Sequence, residues 1–269
     1  MKGWIRRMCV LLLGVCLAGS ALADEGATQI REHAGAHRLI VLGEYHGTRE
    51  TPLLVRQLAD DYSAAGTPVI LALEMPRGEN HLLARYLASD GGPAMRRALA
   101  GSAFWSVQDN QHDGRRSRDM LDLIEALRLL KEQGRDVRVL GYDVDASSDD
   151  NQQRDDEMAV ELRRLYNDTS AQTRLLVLAG NVHAMRHRPA DAPQEMQQRP
   201  MASQLTDLDL YSIRLEPLRG ESWGCFGERC RALVLPARAA RAPKVDTAPD
   251  RMYDLVVWLP MVSVARLVD

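Results

Sequence analysis

Several features that would direct a chain to nucleic acid or to a membrane are missing from this sequence. It has no basic run of the kind that forms a footprint for nucleic acid, and its formal net charge is −3. After residue 23 no apolar stretch is long enough to cross a bilayer. The sequence therefore predicts neither a nucleic-acid partner nor a stable membrane span.

Cysteine is also scarce, with four residues in the whole chain. Two of them, Cys9 and Cys16, lie in the first 23 residues, which leaves Cys225 and Cys230 in the segment WGCFGERC. Their Cys-x4-Cys spacing differs from the Cys-x-x-Cys spacing of redox-active pairs. We predict a disulfide that closes one loop, in a protein exposed to an oxidising compartment.

Residues 1–23 have the pattern of a secretory signal peptide. Basic residues come first, an apolar run too short for a comfortable bilayer span follows, and the segment ends in Ala-Leu-Ala. We therefore predict an exported protein, periplasmic or secreted. The length of the remaining chain, residues 24–269, suits a single domain with a full core.

Short apolar runs alternate with amphipathic ones along the rest of the chain. Four runs rich in Val, Ile and Leu are apolar at consecutive positions, which is typical of strands covered on both faces: 37–44, 67–74, 136–143 and 174–181. Helical patterns separate them, for example RDMLDLIEALRLLKEQG. This order predicts an α/β fold with a mostly parallel central sheet flanked by helices.

Two segments depart from this alternation. Residues 75–117 are longer than a simple crossover needs and contain two short helical patterns, so we predict a helical, lid-like insertion there. The last quarter reads as strands with little helix, namely LDLYSIRLEP, RALVLPA and YDLVVWLP. We expect these strands to extend the sheet as a mixed C-terminal edge, with the disulfide loop and edge region at 217–250.

Each of the four predicted strands is followed by polar residues that could do chemistry. These residues are Glu44, His46, Glu74, Asp143 and His183. A single polar residue after a strand is commonly a turn or a helix cap, but four coincident strand ends are hard to explain as four caps. Because ligands of parallel sheets bind outside the carboxyl ends of the strands, the sequence predicts one shared site.

Two Gly-x-x-His motifs, GEYHG and GNVH, and the intervening glutamate of LALEMP resemble a known superfamily. It includes erythromycin esterase, the ChaN haem-binding proteins, and the TraB and Tiki proteins. The resemblance covers about residues 40–184, and WSVQDNQHDGRRSRDML and RDDEMA also look like its exported bacterial members. The residues that match its motifs are Glu44, His46, Glu74 and His183. Arg154 matches the arginine of the family's Arg-Asp-x-x-Met segment, and we expect it to pair with a strand-end carboxylate.

The resemblance implies a hydrolase acting on a small-molecule or peptide substrate, since esterase-like members activate water for ester cleavage and Tiki-like members cleave peptides. If the hydrolase uses no metal ion, we expect His46 to have a near-neutral pKa and to take a proton from water, while Glu44 or Glu74 orients its ring. His183 then donates to the leaving group or stabilises the oxyanion. Asp143 and Arg154 complete the candidate catalytic set.

The same residues leave the cofactor open. Glu44, His46, Glu74 and His183 could instead hold Mn²⁺ or Zn²⁺ with an open position for water. The ChaN-like alternative is a haem- or ligand-binding protein without catalysis, in which Tyr45, Tyr142 or a histidine is the axial ligand. Aromatic residues, at 5% of the chain, are sparse for such a pocket.

One further hydrolase motif is a chance match. GESWG, residues 220–224, has the form of the Gly-x-Ser-x-Gly nucleophile elbow. That motif requires a helix after the serine and a histidine later in the chain. Here a cysteine loop follows, and the last histidine, His187, precedes Ser222.

Overall fold

A computed structural model of the chain describes residues 24–107, 112–145, 150–192, 198–226 and 229–268. The predicted signal peptide, residues 1–23, lies outside the described residues. The helices are α1 (24–34), α2 (Glu50–Ala64), α3 (Asn80–Leu87), α4 (Pro93–Ala100), α5 (Arg118–Glu132) and α6 (Asn151–Asp168). The strands are β1 (Leu39–Glu44), β2 (Val69–Pro76), β3 (Val137–Asp143), β4 (Arg174–Gly180), β5 (Leu210–Pro217), β6 (Gly220–Phe226), β7 (Arg229–Leu235), β8 (Lys244–Val245) and β9 (Leu255–Leu259).

Seven strands form one sheet in the order β3-β2-β4-β1-β5-β9-β8. All neighbours are parallel except β8, which runs antiparallel to β9 at the edge. Side chains of β1 alternate between two cores: Ile40 and Leu42 pack with α2 and α5, whereas Leu39 and Val41 pack with α6. The predicted α/β fold with a mostly parallel sheet and a mixed C-terminal edge is confirmed.

The C-terminal strands are arranged differently from the expectation in one respect. RALVLPA does not extend the main sheet, because β7 pairs with β6 in a separate antiparallel hairpin. Val234 of this hairpin is 78% exposed. Cys225 lies opposite Cys230 in the hairpin, and the two are disulfide-bonded. Ser222 lies within β6, so GESWG does not form a nucleophile elbow.

The segment 75–117 contains α3 and α4. Helix α3 is anchored in the main core by Leu83, Tyr86 and Leu87, all of which are buried. In the part of the chain that the structure describes, none of the helices combines the length and the apolar character that a membrane crossing needs.

Candidate active site

Three buried carboxylates meet at the carboxyl edge of the sheet. Glu44 ends β1, Glu74 lies near the end of β2 and Asp143 ends β3, and their exposed fractions are 4%, 6% and 4%. Removing a carboxylate from water costs free energy unless charged or hydrogen-bonding groups compensate it. Each of the three must therefore have partners at this edge.

Two arginines neutralise two of these carboxylates. Arg154 donates to Asp143 through Nε (2.9 Å) and Nη2 (2.6 Å), and the same Nη2 donates to Glu74 (2.6 Å). Arg115 Nη1 reaches both carboxylates as well, at 3.2 Å from Glu74 and 3.1 Å from Asp143. The expected pairing of Arg154 with a strand-end carboxylate is therefore present in the structure, and Arg154 pairs with two such carboxylates.

Local capping brings the two arginines to this edge. Asp150 caps α6 by accepting from two backbone N–H groups, so that Arg154 lies in the first turn of the helix. Ser117 caps α5 in the same way, and Arg115 precedes it by two residues. Both side chains therefore start from a fixed helix end and extend to Glu74.

His46 lies between two glutamates. Its Nδ1 donates to Glu44 Oε1 at 3.0 Å, and its Nε2 is 3.5 Å from Glu74 Oε2. Burial alone lowers the pKa of His46, but the charges of Glu74 and Glu44 outweigh burial and raise that pKa to about 10. The near-neutral pKa expected from the sequence is wrong, because His46 remains an imidazolium at neutral pH.

The two glutamates beside His46 have pKa values that move in opposite directions. Burial raises the pKa of Glu44 above its ordinary value. Burial acts in the same sense on Glu74, but neighbouring positive groups, of which His46 has the largest effect, outweigh it and hold the pKa of Glu74 well below its usual range. Glu74 is therefore the fixed negative charge of the site.

His183 has different hydrogen-bond partners. Arg154 Nη1 lies 3.1 Å from His183 Nε2, and because a guanidinium can only donate, this nitrogen is the acceptor. Nδ1 then donates to Asp155 Oδ1 at 2.8 Å. Asp155 is fully buried, and its Oδ1 also accepts from the backbone N–H of Met201. These contacts fix the orientation of the His183 ring and define one tautomer.

Gly180, at the end of β4, lets both imidazoles lie close to the backbone. A methyl group on Gly180 would lie 3.0 Å from His46 Nε2, 3.5 Å from Glu74 Oε2 and 3.5 Å from His183 Cδ2. The backbone N–H of Gly180 donates to Glu74 at 2.6 Å. Both rings therefore border this strand end, and a side chain at position 180 would crowd them.

All six residues singled out from the sequence therefore lie in one connected network, and their catalytic roles remain predictions. Two other members, Arg115 and Asp155, were not singled out. Neither follows a strand, so the strand-end signal does not apply to them. Both lie inside segments that carried the family resemblance, HDGRRSRDML and RDDEMA, and this resemblance was the signal that could have found them.

The donor set does not fit the predicted Mn²⁺ or Zn²⁺ site. Among the described residues, no three His, Cys, Asp or Glu side chains are grouped so that they could hold a metal ion. His46 Nδ1 is bonded to Glu44, and Glu74 accepts from two guanidinium groups. A divalent cation would have to displace or deprotonate these groups.

One proposed axial ligand for haem is likewise engaged elsewhere. Tyr142 is fully buried, and its hydroxyl donates to the backbone oxygen of Leu178 at 3.2 Å. Tyr45, the other tyrosine considered, accepts from Arg214 at 2.9 Å. The Tyr142 hydroxyl is therefore buried and already used in a hydrogen bond.

The disulfide-closed hairpin supports two loops of the site. Trp223 in β6 donates its backbone N–H to Gly47 (2.9 Å) and its indole N–H to the backbone oxygen of His112 (2.6 Å). Gly47 and Gly114 have φ values of +72° and +90°, and a Cβ on either would lie within 2.6 Å of the Trp223 carbonyl oxygen. The hairpin thus packs directly on the loops that carry His46 and Arg115.

Trp223→Phe should destabilise the protein by about 1–3 kcal/mol, since it leaves the His112 carbonyl without this donor. The free energy of unfolding in urea measures the effect. Trp258→Phe is the matched control, because the indole N–H of Trp258 is buried with no partner in the described part of the chain. Equal losses in the two variants would show that the effect comes from ring size and not from the hydrogen bond.

The ionisation of His46 gives a direct test of the site's electrostatics. In an NMR titration its imidazole should remain protonated through neutral pH and titrate near 10. Glu74→Gln should lower the pKa of His46, because the negative charge of Glu74 raises that pKa more than any other neighbouring group does. A His46 resonance that titrates near 6.5, the ordinary value for a histidine, would contradict this charge assignment.

Comparisons with solved structures identify the fold. An erythromycin esterase mutant in its open conformation overlaps with a TM-score of 0.67 and 14% identity over 90% of this chain and 95% of that one. A succinoglycan biosynthesis protein overlaps with a TM-score of 0.59 and 10% identity over 89% and 92% of the two chains. The chain therefore has the fold of erythromycin esterase, as the sequence motifs indicated.

Three other comparisons do not extend this assignment beyond the fold. No family model and no curated protein matches the sequence. A structure of ChaN of Campylobacter jejuni with cofacial haem overlaps with a TM-score of 0.44 and 12% identity over 85% of this chain and 89% of that one. That overlap is too low to support haem binding here.

Proposed function

We propose that this chain, which has the erythromycin esterase fold, is a hydrolase that cleaves an ester, amide or peptide bond with an activated water molecule. The observation that carries the proposal is the pair of imidazoles that border Gly180, of which His46 lies between two carboxylates and His183 accepts from a guanidinium. Two titratable groups whose environments differ in this way are suited to acid and base roles in one reaction. A small-molecule or peptide substrate fits this chemistry.

In this mechanism His183 is the general base. Its Nε2 takes a proton from the water that attacks the carbonyl carbon, while Asp155 stabilises the imidazolium that forms. The contact between Arg154 Nη1 and Nε2 gives way to the water, and Arg154 remains held by Asp143 and Glu74 through its other nitrogens. This assignment reverses the role of His183 expected from the sequence.

His46 is the general acid of the same mechanism. As an imidazolium it stabilises the negative oxygen of the tetrahedral intermediate and then gives its Nε2 proton to the leaving group. The carbon–heteroatom bond breaks as this proton is transferred. The site returns to its starting state when the proton gained by His183 is lost to solvent and His46 regains one.

We also propose that the protein is exported to the periplasm or beyond. Support comes from the basic, apolar and small-residue pattern of residues 1–23. The disulfide between Cys225 and Cys230 is consistent with an oxidising compartment.

Gly180→Ala tests the proposed reaction space. The added methyl group would press on His46 and displace it, so hydrolysis of aryl acetates should fall by roughly 100-fold, the scale of a 1 Å misplacement of reacting groups. Gly92→Ala is the control, because its Cβ would contact only the movable side chain of Asp90. A chelator should leave the wild-type rate unchanged. An unaltered rate in Gly180→Ala would remove the space over β4 from the mechanism.

A further inference from the structure

A second polar cluster continues the same edge of the sheet beyond His46. Arg214 of β5 is the register partner of Gly43 in β1. Its Nη2 donates to the hydroxyl of Tyr45 at 2.9 Å, and its Nη1 donates to the hydroxyl of Tyr253 at 3.3 Å. The guanidinium also lies 5.6 Å from the centre of each tyrosine ring. Since Tyr45 directly precedes His46, Arg214 is one side chain away from the first imidazole.

Tyr253 connects the same arginine to the second imidazole. Its hydroxyl donates to the backbone oxygen of Asn181 at 2.7 Å, and Asn181 opens the turn that carries His183. Burial raises the pKa of Tyr253 to about 12, so its hydroxyl stays protonated and keeps this bond. The cluster is therefore structurally continuous with the reacting space.

The cluster has more positive than negative charge. Glu216 is 4% exposed, and within the described residues it is the sole ion-pair partner of both Arg214 and Arg238. One carboxylate thus compensates two guanidinium groups. Each Nη of Arg214 has two N–H groups, and the described residues take one of each, so two donors remain on a side chain that is 21% exposed.

The sheet sets the separation between the backbone at Arg214 and the backbone at Gly180. Strand β1 lies between β4, which ends in Gly180, and β5, which carries Arg214. Neighbouring strands are about 4.8 Å apart, so the two positions are separated by roughly 10 Å across the edge. A small molecule with its scissile bond over Gly180 can span that distance.

We propose that Arg214, framed by Tyr45 and Tyr253, is a subsite for a carboxylate on the substrate, carried two strands across the sheet edge from Gly180. A guanidinium that keeps one N–H donor on each Nη can donate to both oxygens of a carboxylate. This inference rests on the proposed hydrolase function and narrows its substrates to acidic esters, amides or peptides. A phosphate monoester carries related chemistry and is a separate arm of the test.

The test uses substrates that differ only in charge. The wild-type protein should hydrolyse 4-acetoxybenzoate with a kcat/KM roughly 10- to 100-fold above that for its neutral isostere 4-acetoxybenzamide. Arg214→Gln should abolish this preference. Arg251→Gln is the control, because Arg251 is 22% exposed, pairs with Asp254 and lies in the same connection as Tyr253. 4-Acetoxyphenyl phosphate should be hydrolysed less well than the carboxylate, and the reverse order would overturn the carboxylate assignment.

A structural role alone predicts a different result. If Arg214 only holds the two tyrosines in place, Arg214→Gln will lower kcat for the acid and the amide equally, and the proposal is then wrong. If the wild-type protein hydrolyses neither compound, the proposed function fails, and the subsite is judged by binding of 4-hydroxybenzoate followed by NMR. Binding that is lost in Arg214→Gln and kept in Arg251→Gln supports the subsite, whereas binding unchanged by Arg214→Gln overturns it.

Discussion

His46→Ala is expected to lower the rate of hydrolysis by roughly two to four orders of magnitude, because it removes the proton donor of the proposed mechanism. The protein should still fold, since Glu74 keeps its two arginine partners and Glu44, whose pKa is raised by burial, can take up a proton. The measurement is kcat on any ester that the wild-type protein turns over.

His37→Ala is the matched control for this variant. His37 precedes the opposite end of the same strand, is 42% exposed and pairs with Asp209 at 2.6 Å. Its removal should change kcat by less than about twofold, as expected for a surface substitution far from the site. An unchanged rate in His46→Ala would exclude His46 from the mechanism.

The pH dependence of the rate distinguishes an acid from a base at His46. A general acid must be protonated, so its contribution should be constant through neutral pH and fall as the pH rises through about 10. A general base at His46 would instead require the neutral ring, and the rate would increase up to that pH. A rate that rises steadily from about pH 7 to about pH 10 would restore the role expected from the sequence.

Arg154→Met is expected to reduce the free energy of unfolding by roughly 3–5 kcal/mol, the usual cost of removing one partner from a buried ion pair. Asp143 and Glu74 are buried at 4% and 6% exposure, and in the variant Arg115 would be the one arginine among the described residues that still pairs with both. Urea denaturation at neutral pH measures the loss. Arg163→Met, on the same helix, removes an arginine paired with the 63%-exposed Asp207 and should cost less than about 1 kcal/mol.

The destabilisation by Arg154→Met should become smaller in acid. The folded-state pKa of Glu74 is lowered, so the stability that its charge contributes is present above the ordinary value of 4.5 and is lost as the pH falls below it. Without Arg154, the buried carboxylates can be neutralised by protonation. A loss that is the same at about pH 7 and about pH 4, or equal losses in Arg154→Met and Arg163→Met, would contradict this account.

The sequence alone determined the parts of the molecule that depend on local pattern. Runs such as LIVLGE and VILALE are apolar at consecutive positions because helices cover both faces of those strands, and this pattern located β1 to β4. Since parallel strands end at the same edge, the residues that follow them, among them Glu44, Glu74 and His183, could be assigned to one site from the pattern alone.

The tertiary structure decided those features that depend on contacts between residues distant in the chain. RALVLPA reads as a sheet strand, yet only the fold shows that β7 pairs in a hairpin outside the main sheet. Arg115 and Asp155 lie in a loop and a helix, where a charged residue alone does not distinguish a site from a solvated surface. The different surroundings of the two imidazoles have the same origin: His46 lies between two carboxylates, whereas His183 accepts from a guanidinium. The raised pKa of His46 follows from its neighbours rather than from its residue type.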